Sequence, residues 1–261
     1  MPFVNVDAQS IFYTRHGGTE LANAGPPLLL VHGAGGSHLH WPAHLRRLAD
    51  RIVYALDLPG HGRSLGPGRT SIEAYASFLC AFVSALRIEK FVLAGHSMGG
   101  AIALAVAIQQ VERLAGLILV GAGARLAVSP ALLQALQDDF AGATATITRL
   151  AHSPETPASE RRRFLDQLRK NDPVVLRDDF LACAQFDQRS SLDKVSIPTL
   201  LIYGRQDRMT PVANGEQLHA QLPRSELHVV EDAGHMAMLE NAHAVIDLFQ
   251  AFIEGVSTPQ D

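Results

Sequence analysis

Cysteine is nearly absent from this 261-residue chain: Cys80 and Cys183 lie far apart, each in a helix-like pattern. Such spacing excludes a disulfide-stapled scaffold and reads as two buried, reduced thiols, as expected of a cytoplasmic protein. Net charge is also scarce: 22 Lys and Arg against 26 Asp and Glu leave −4. That balance is too mild for a nucleic-acid partner or an anionic membrane surface. No segment approaches the ~20 apolar residues of a membrane span. The stretch Met1–Asp7 is too polar for a secretory signal, so a cytoplasmic location is expected. Repeats and low-complexity tracts are missing, and only the tail 256–261 reads as loose. The glycine-rich loop His32–Gly36 lacks both Gly-x-x-x-x-Gly-Lys-Ser/Thr and Gly-x-Gly-x-x-Gly, so no nucleotide and no other cofactor is expected. His38, His40 and His44 have no carboxylate or cysteine at ligand spacing. They read as loop and surface histidines, not a metal site, with one of them or Trp41 lining a pocket.

What is present is alternation. Apolar runs at Phe3–Val6, Ile11–Arg15, Leu28–Val31, Ile52–Leu56, Phe91–Ala94, Leu117–Val120, Thr199–Tyr203 and Leu227–Glu231 read as strands. The first two suggest an antiparallel edge hairpin. The later ones are continuously apolar, as strands covered on both faces are. Helical spacing predicts helices at Trp41–Ala49, Ser71–Leu86, Met98–Gln110, Val212–Gln221 and Ala242–Ile253. Strand and helix alternate, which predicts a doubly wound α/β fold with a mostly parallel eight-stranded sheet. The alternation breaks over residues 124–190. There Pro130–His152, Pro157–Asn171 and Pro173–Phe186 predict three successive helices, each opened by a proline. The expected organisation is a core of residues 1–123 and 191–261, with 124–190 inserted as a helical cap after the sixth strand.

One pentapeptide carries the chemistry. Gly95-His96-Ser97-Met98-Gly99 joins an apolar strand to a small-residue helix. The form Gly-x-Ser-x-Gly between strand and helix puts a serine hydroxyl at the tip of a tight elbow, where a Cβ at either glycine would collide with its neighbours. A serine nucleophile needs a base, and the base needs an orienting acid. Asp207 follows the strand Thr199–Tyr203, and His235 follows Leu227–Glu231. In an open parallel sheet such loops gather along one edge. Ser97, Asp207 and His235 are therefore the candidate nucleophile, acid and base. Asp232 is the rival acid. Arg205 and Arg208 flank Asp207 and must point away from it for the assignment to hold.

Five segments in this order resemble the α/β-hydrolase superfamily, in its small serine esterase form. They are His32–Gly36, Asp57–Ser64, Gly95–Gly100, Gly204–Asp207 and Ala233–His235, and the likeness spans about residues 26–254. The resemblance implies an oxyanion hole built from the backbone N–H of Met98 and of Ala34, with Gly35 as the fallback donor. It assigns the Asp57–Ser64 turn no catalytic step. A serine at the elbow disfavours the epoxide hydrolases and haloalkane dehalogenases of the superfamily, which carry Asp there. The expected activity is hydrolysis of carboxylic esters of small, largely apolar substrates through an acyl-enzyme. The same machinery is compatible with enol-lactone or carbon–carbon bond hydrolysis, perhydrolysis, or a receptor that binds without turnover. Gly35, Trp41, Met209 and Met236 are the expected substrate contacts, and a monomer or small homo-oligomer is expected. Glu160–Arg163 with Arg169 and Lys170 gives the cap a basic side, read as a solvated face or, less simply, a dock for an acidic carrier.

Overall fold

The computed structural model describes residues 2–18, 25–109 and 112–257. Eight strands form one sheet: β1 (Phe3–Val6), β2 (Gln9–His16), β3 (Leu28–Val31), β4 (Val53–Leu56), β5 (Phe91–His96), β6 (Leu114–Val120), β7 (Thr199–Gly204) and β8 (Ser225–Val230). Their spatial order is β1-β2-β4-β3-β5-β6-β7-β8. The β1–β2 hairpin turns at Asp7 and Ala8, both at positive φ, the pair of angles that matches strand twist in a two-residue turn. β2 runs antiparallel to β4, and every pairing from β4 through β8 is parallel. Every residue of β3, β5 and β7 is buried.

Helices cover both faces. The interior on one face holds Tyr75, Phe78 and Phe82 of α2 (Ile72–Ala85), the buried run of α3 (Met98–Ile108) and Leu218 of α8 (Val212–His219). The interior on the other holds Leu45 of α1 (Ala43–Arg46) and Val245, Phe249 and Ile253 of α10 (Ala242–Ser257). α2 starts where Ser71 accepts from Ala74 N–H, and its apolar residues recur at three and four. α3 is buried all round, with Gly and Ala letting it lie close to the sheet. The short helix α9 (Ala237–Glu240) precedes α10. None of the helices is long and apolar enough to cross a membrane, among the described residues.

Several boundaries differ from expectation for local reasons. The helix expected at Trp41–Ala49 is a 3-10 turn at His38–His40 followed by the single turn α1. Pro42 holds Trp41 extended, at φ −89° and ψ 126°, and so separates the two. Between β6 and β7 lie four helices rather than three: α4 (Pro130–Asp138), α5 (Phe140–Ala151), α6 (Ala158–Leu168) and α7 (Pro173–Gln185). Asp139 divides the first pair, leaving helical geometry at φ −141° and accepting from Gly142 N–H to start α5. α10 runs on through Val256, where a loose tail was expected, and residues 258–261 lie outside the described residues. The last residue expected in α3, Gln110, also lies outside them.

Removing the Asp139 carboxylate should cost about 1 kcal/mol, the usual loss for an N-cap. Asp139→Ala is therefore expected to lower the urea midpoint slightly without changing the fold. Phe82→Ala, in the fully buried α2 stripe, should cost about 3–5 kcal/mol by the same measurement.

Candidate active site

The strand order reverses direction at β3, which has β4 on one side and β5 on the other. Crevices form at such a switch, beyond the C-terminal ends of the strands. Here the loop His32–Gly36 leaves β3, and Ser97 stands between β5 and α3.

Ser97 adopts φ 54° and ψ −117°, a conformation that costs a non-glycine residue energy and persists only when its surroundings enforce it. The surroundings do. A Cβ on Gly95 would lie 2.1 Å from the Gly99 carbonyl oxygen, and one on Gly99 would lie 2.4 Å from that of Val31. Ser97 N–H donates to the Val120 carbonyl at 2.9 Å, tying the elbow to β6. The serine is half-buried and faces a cavity whose wall also includes Gly33, Ala34, His235, Met209 and Met236.

Across that cavity, His235 Nδ1–H donates to Asp207 Oδ2 at 2.8 Å, and both side chains are buried. Asp207 Oδ1 takes the N–H groups of Met209 and Thr210, each at 2.8 Å. Burial alone would raise the Asp207 pKa, but His235 and Thr210 reverse this and hold it below the usual carboxylate range. Thr210 Oγ1 lies 2.8 Å from Asp207 Oδ2, 2.9 Å from the Gly121 carbonyl oxygen and 3.1 Å from His235 Nδ1. Gly121 (φ 53°) leaves room for the pair: a Cβ there would come 3.1 Å from His235 Nδ1. Both flanking arginines point away from Asp207. Arg205 pairs with Glu231, and Arg208 donates to the carbonyls of Arg149 and His152. The rival Asp232 is exposed on a turn at φ 55°.

Two neutral histidines hold the backbone of this region. His96 Nε2–H donates to the His235 carbonyl at 3.0 Å, with the rings 4.7 Å apart. Burial first, and then His235 and His40, push its pKa well below the ordinary value. His32 donates from Nδ1 to Gly33 O and accepts the Leu58 N–H at Nε2, so the turn Asp57–Ser64 braces the β3 loop. None of these three bonds is legible in sequence, because each partner is distant along the chain or is backbone.

The loop itself separates its two expected donors. The Gly33–Ala34 peptide packs on the elbow, and a Cβ on Gly33 would lie 3.1 Å from Ser97 Cβ. The N–H groups of Ala34 and Met98 have no bonded acceptor among the described residues. Gly35 N–H, by contrast, donates to Asp179 Oδ2 at 2.9 Å. The fallback donor is therefore already engaged, and Gly35 is not on the cavity wall but packed under Leu168 and Leu176. Trp41 is corrected likewise. It is fully buried, 6.0 Å from Phe249 in the core under the sheet, because Pro42 turns the chain there. Met209 and Met236 do stand on the wall. His38 and His40 are buried rather than superficial: His38 is bonded to Asp57, and His40 stacks on Phe164 at 5.5 Å on the cavity wall. His40 is held neutral, its pKa lowered to about 4, mainly by burial. His44 is exposed. Among the described residues no group of three or more His, Cys, Asp or Glu is placed to hold a metal ion. Both thiols are free; Cys183 lies on the cavity wall, and Cys80 is half-buried rather than buried.

Much of the remaining wall is apolar and comes from the helices between β6 and β7, through Leu132, Ile147, Leu150, Phe164 and Phe180, with Arg208 and Thr210 adding polar groups. The strained Ser97, Ala34 with its unbonded N–H, and His235, itself bonded to the buried Asp207, thus border one largely apolar chamber.

Comparison with known proteins agrees with this architecture. The profile of the alpha/beta hydrolase family matches residues 28–248. Among its relatives, a protein named pimeloyl-[acyl-carrier protein] methyl ester esterase from Neisseria meningitidis serogroup C is 32% identical over 242 residues, covering 87% of this chain and 93% of that one. The structure of a thermophilic esterase is 30% identical, with a TM-score of 0.85 over 98% of this chain and 97% of that one. An enol-lactonase from Burkholderia xenovorans LB400 shares the fold at a TM-score of 0.89 and 21% identity, over 97% of this chain and all of that one (100%). The chain belongs to the alpha/beta hydrolase family, as an esterase-type hydrolase.

Proposed function

We propose that the chain is a serine hydrolase that cleaves carboxylic esters of small, largely apolar substrates through an acyl-enzyme. One observation carries the proposal: Ser97, at its strained elbow, and His235, bonded to Asp207, border the same cavity. In the mechanism, Ser97 Oγ attacks the acyl carbon while His235 Nε2 takes its proton. Asp207 holds the imidazole tautomer and stabilises the imidazolium. The carbonyl oxygen gains negative charge and is met by the N–H groups of Ala34 and Met98, which need not move to receive it. As the tetrahedral intermediate collapses, the imidazolium returns its proton to the departing alkoxide. Water then repeats the sequence on the acyl-enzyme and releases the acid. No step needs a metal or cofactor.

The cavity supports a small substrate. Its volume is about 190 Å³, below the ~300–1,000 Å³ of sites for drug-sized ligands. We assign residues 124–190 as the cap, since α4–α7 supply most of the apolar wall of the chamber. A second reading, a carrier-bound acyl ester, is favoured by a groove lined by Arg149, Arg161, Arg162 and Arg208, of which Arg208 also borders the cavity. An acidic carrier would find complementary charge there. The Neisseria relative's substrate is of this kind by its name.

Ser97→Ala should abolish hydrolysis of p-nitrophenyl butyrate without lowering the melting temperature, and a fluorophosphonate should label Ser97 one to one; labelling elsewhere refutes the assignment. A panel of esters, lactones and diketones separates the ester reading from its chemical rivals, and absence of all turnover favours a receptor. If a carrier is the partner, adding an acidic acyl-carrier protein should inhibit ester hydrolysis at low salt and lose that effect near 0.5 M salt as charges are screened. Asp207, with its depressed pKa, contributes stability that is complete above the unfolded value of ~3.9 and is lost as pH falls through the folded one. Asp207→Asn should flatten that part of a melting-temperature-against-pH curve, besides lowering kcat by about 10⁴.

A further inference from the structure

The fully buried carboxylate of Asp179 is used by no step above. It sits on α7 and receives three donors: Gly35 N–H at 2.9 Å and His61 Nε2–H at 2.7 Å on Oδ2, and Tyr75 O–H at 2.8 Å on Oδ1. Those donors come from the loop after β3, the turn after β4, and α2. A second side chain reaches the same glycine from the same insertion: Asn171, between α6 and α7, donates Nδ2–H to Gly35 O at 2.8 Å. Both faces of Gly35, its N–H and its carbonyl, are thus held by residues of the cap segment.

A carboxylate is a costly way to fasten one helix to another. Burying it exacts a desolvation penalty, and apolar side chains of similar volume often serve stability as well or better. What a carboxylate supplies and a leucine does not is direction. Gly35 N–H belongs to the peptide that closes Ala34, so fixing it fixes the C-terminal side of Ala34. The N-terminal side of Ala34 is fixed by Gly33 against the elbow, where a Cβ would lie 3.0 Å from His96 Nδ1 and 3.1 Å from Ser97 Cβ. With both flanking peptides held, the Ala34 N–H has one orientation. His61 donates from both ring nitrogens, to Pro59 O at 3.0 Å and to Asp179, so the pair is an imidazolium and a carboxylate. Burial on its own would lower the His61 pKa, but Asp179 outweighs it, and the value is raised. Tyr75 stays a donor, because burial and then Asp179 push its pKa up.

We propose that Asp179, aided by Asn171, is a positioning residue that clamps Gly35 from the cap and so sets the Ala34 N–H of the oxyanion hole. This rests on the reading of Ser97 and Ala34 given above. It also makes α7 a fixed part of the site, fastened to the core by a buried ion pair, in contrast to a lid that lifts as one body.

Asp179→Asn keeps the shape, removes the charge and leaves too few acceptors for three donors. Complete loss of an oxyanion donor typically costs about 10²–10³ in turnover, so its misalignment is expected to lower kcat by about 10–100-fold. KM for p-nitrophenyl butyrate should stay within about threefold, because ground-state binding makes little use of that donor. The Ki of a short trifluoromethyl ketone, whose adduct with Ser97 carries an oxyanion, should rise by the same factor as kcat/KM falls. All rates are taken per site titrated with a fluorophosphonate, so misfolded protein does not count. Asn171→Ala, at a half-buried position, should move kcat and the ketone Ki in the same direction, by about three- to tenfold, and it decides the matter if Asp179→Asn does not fold. A folded variant with a lowered melting temperature but unchanged kcat per titrated site and unchanged ketone Ki overturns the clamp and leaves the Ser97 reading intact. Failure of wild-type Ser97 to react with the fluorophosphonate removes that reading, and the clamp with it.

Discussion

The constraint on which the site depends is the closeness of α3 to the ends of β3 and β5. Gly95, Gly99 and Gly100 admit it. A Cβ at any of them would meet a carbonyl oxygen of α3 or β3, or the Ala122 side chain, at 2.5 Å or less. That contact forces the chain to pass from strand to helix in one residue, and the residue is Ser97. Its dihedral strain is a local cost that the packed sheet and the ten consecutive buried residues Met98–Ala107 offset many times over. The same closeness points the helix N-terminus, with its unpaired N–H groups, at the space beside the serine side chain. Strain, hydroxyl placement and donor direction are therefore one structural event.

Around this event the protein places a cluster of buried polar side chains. His32, His61, His96, Asp57, Asp179, Asp207 and His235 are all buried, and each has a named partner. His32 and His96, kept neutral by burial, bond to backbone, whereas His61 and His235 face carboxylates. Desolvation disfavours a buried imidazolium unless an anion stands against it. His235 and His96 reach the chamber, whereas Asp57, His61 and Asp179 are buried away from it and apolar side chains make up much of its wall.

Much of this architecture can be traced to particular residues. The sheet was legible because β3, β5 and β7 are apolar at every position, and the elbow because two glycines bracket a serine between a strand and a helix. A large aromatic beside a glycine-rich loop reads as a pocket wall in sequence, and Trp41 is not one. Pro42 instead redirects the chain and sends the indole toward Phe249. The break at Asp139 was hidden because Ala, Leu and Gln on one side and Ala and Thr on the other keep a helical pattern through it. Asp179 left no signal at all, since a single Asp within a helical run reads as a solvated face. Its partners lie 104 to 144 positions away in the chain.

The order of motifs in the chain determined the fold family, the edge of the sheet that carries the candidate site, and the identity of serine, aspartate and histidine as candidates. Those properties rest on local periodicity and on steric limits at glycine, which neighbours in sequence can express. The tertiary structure alone decided which backbone N–H of the β3 loop stays open, which way Arg205 and Arg208 point, and that a carboxylate from the inserted helices holds Gly35. These depend on directional bonds between segments brought together only by folding, and hydrogen-bond direction is not encoded in the spacing of residue types.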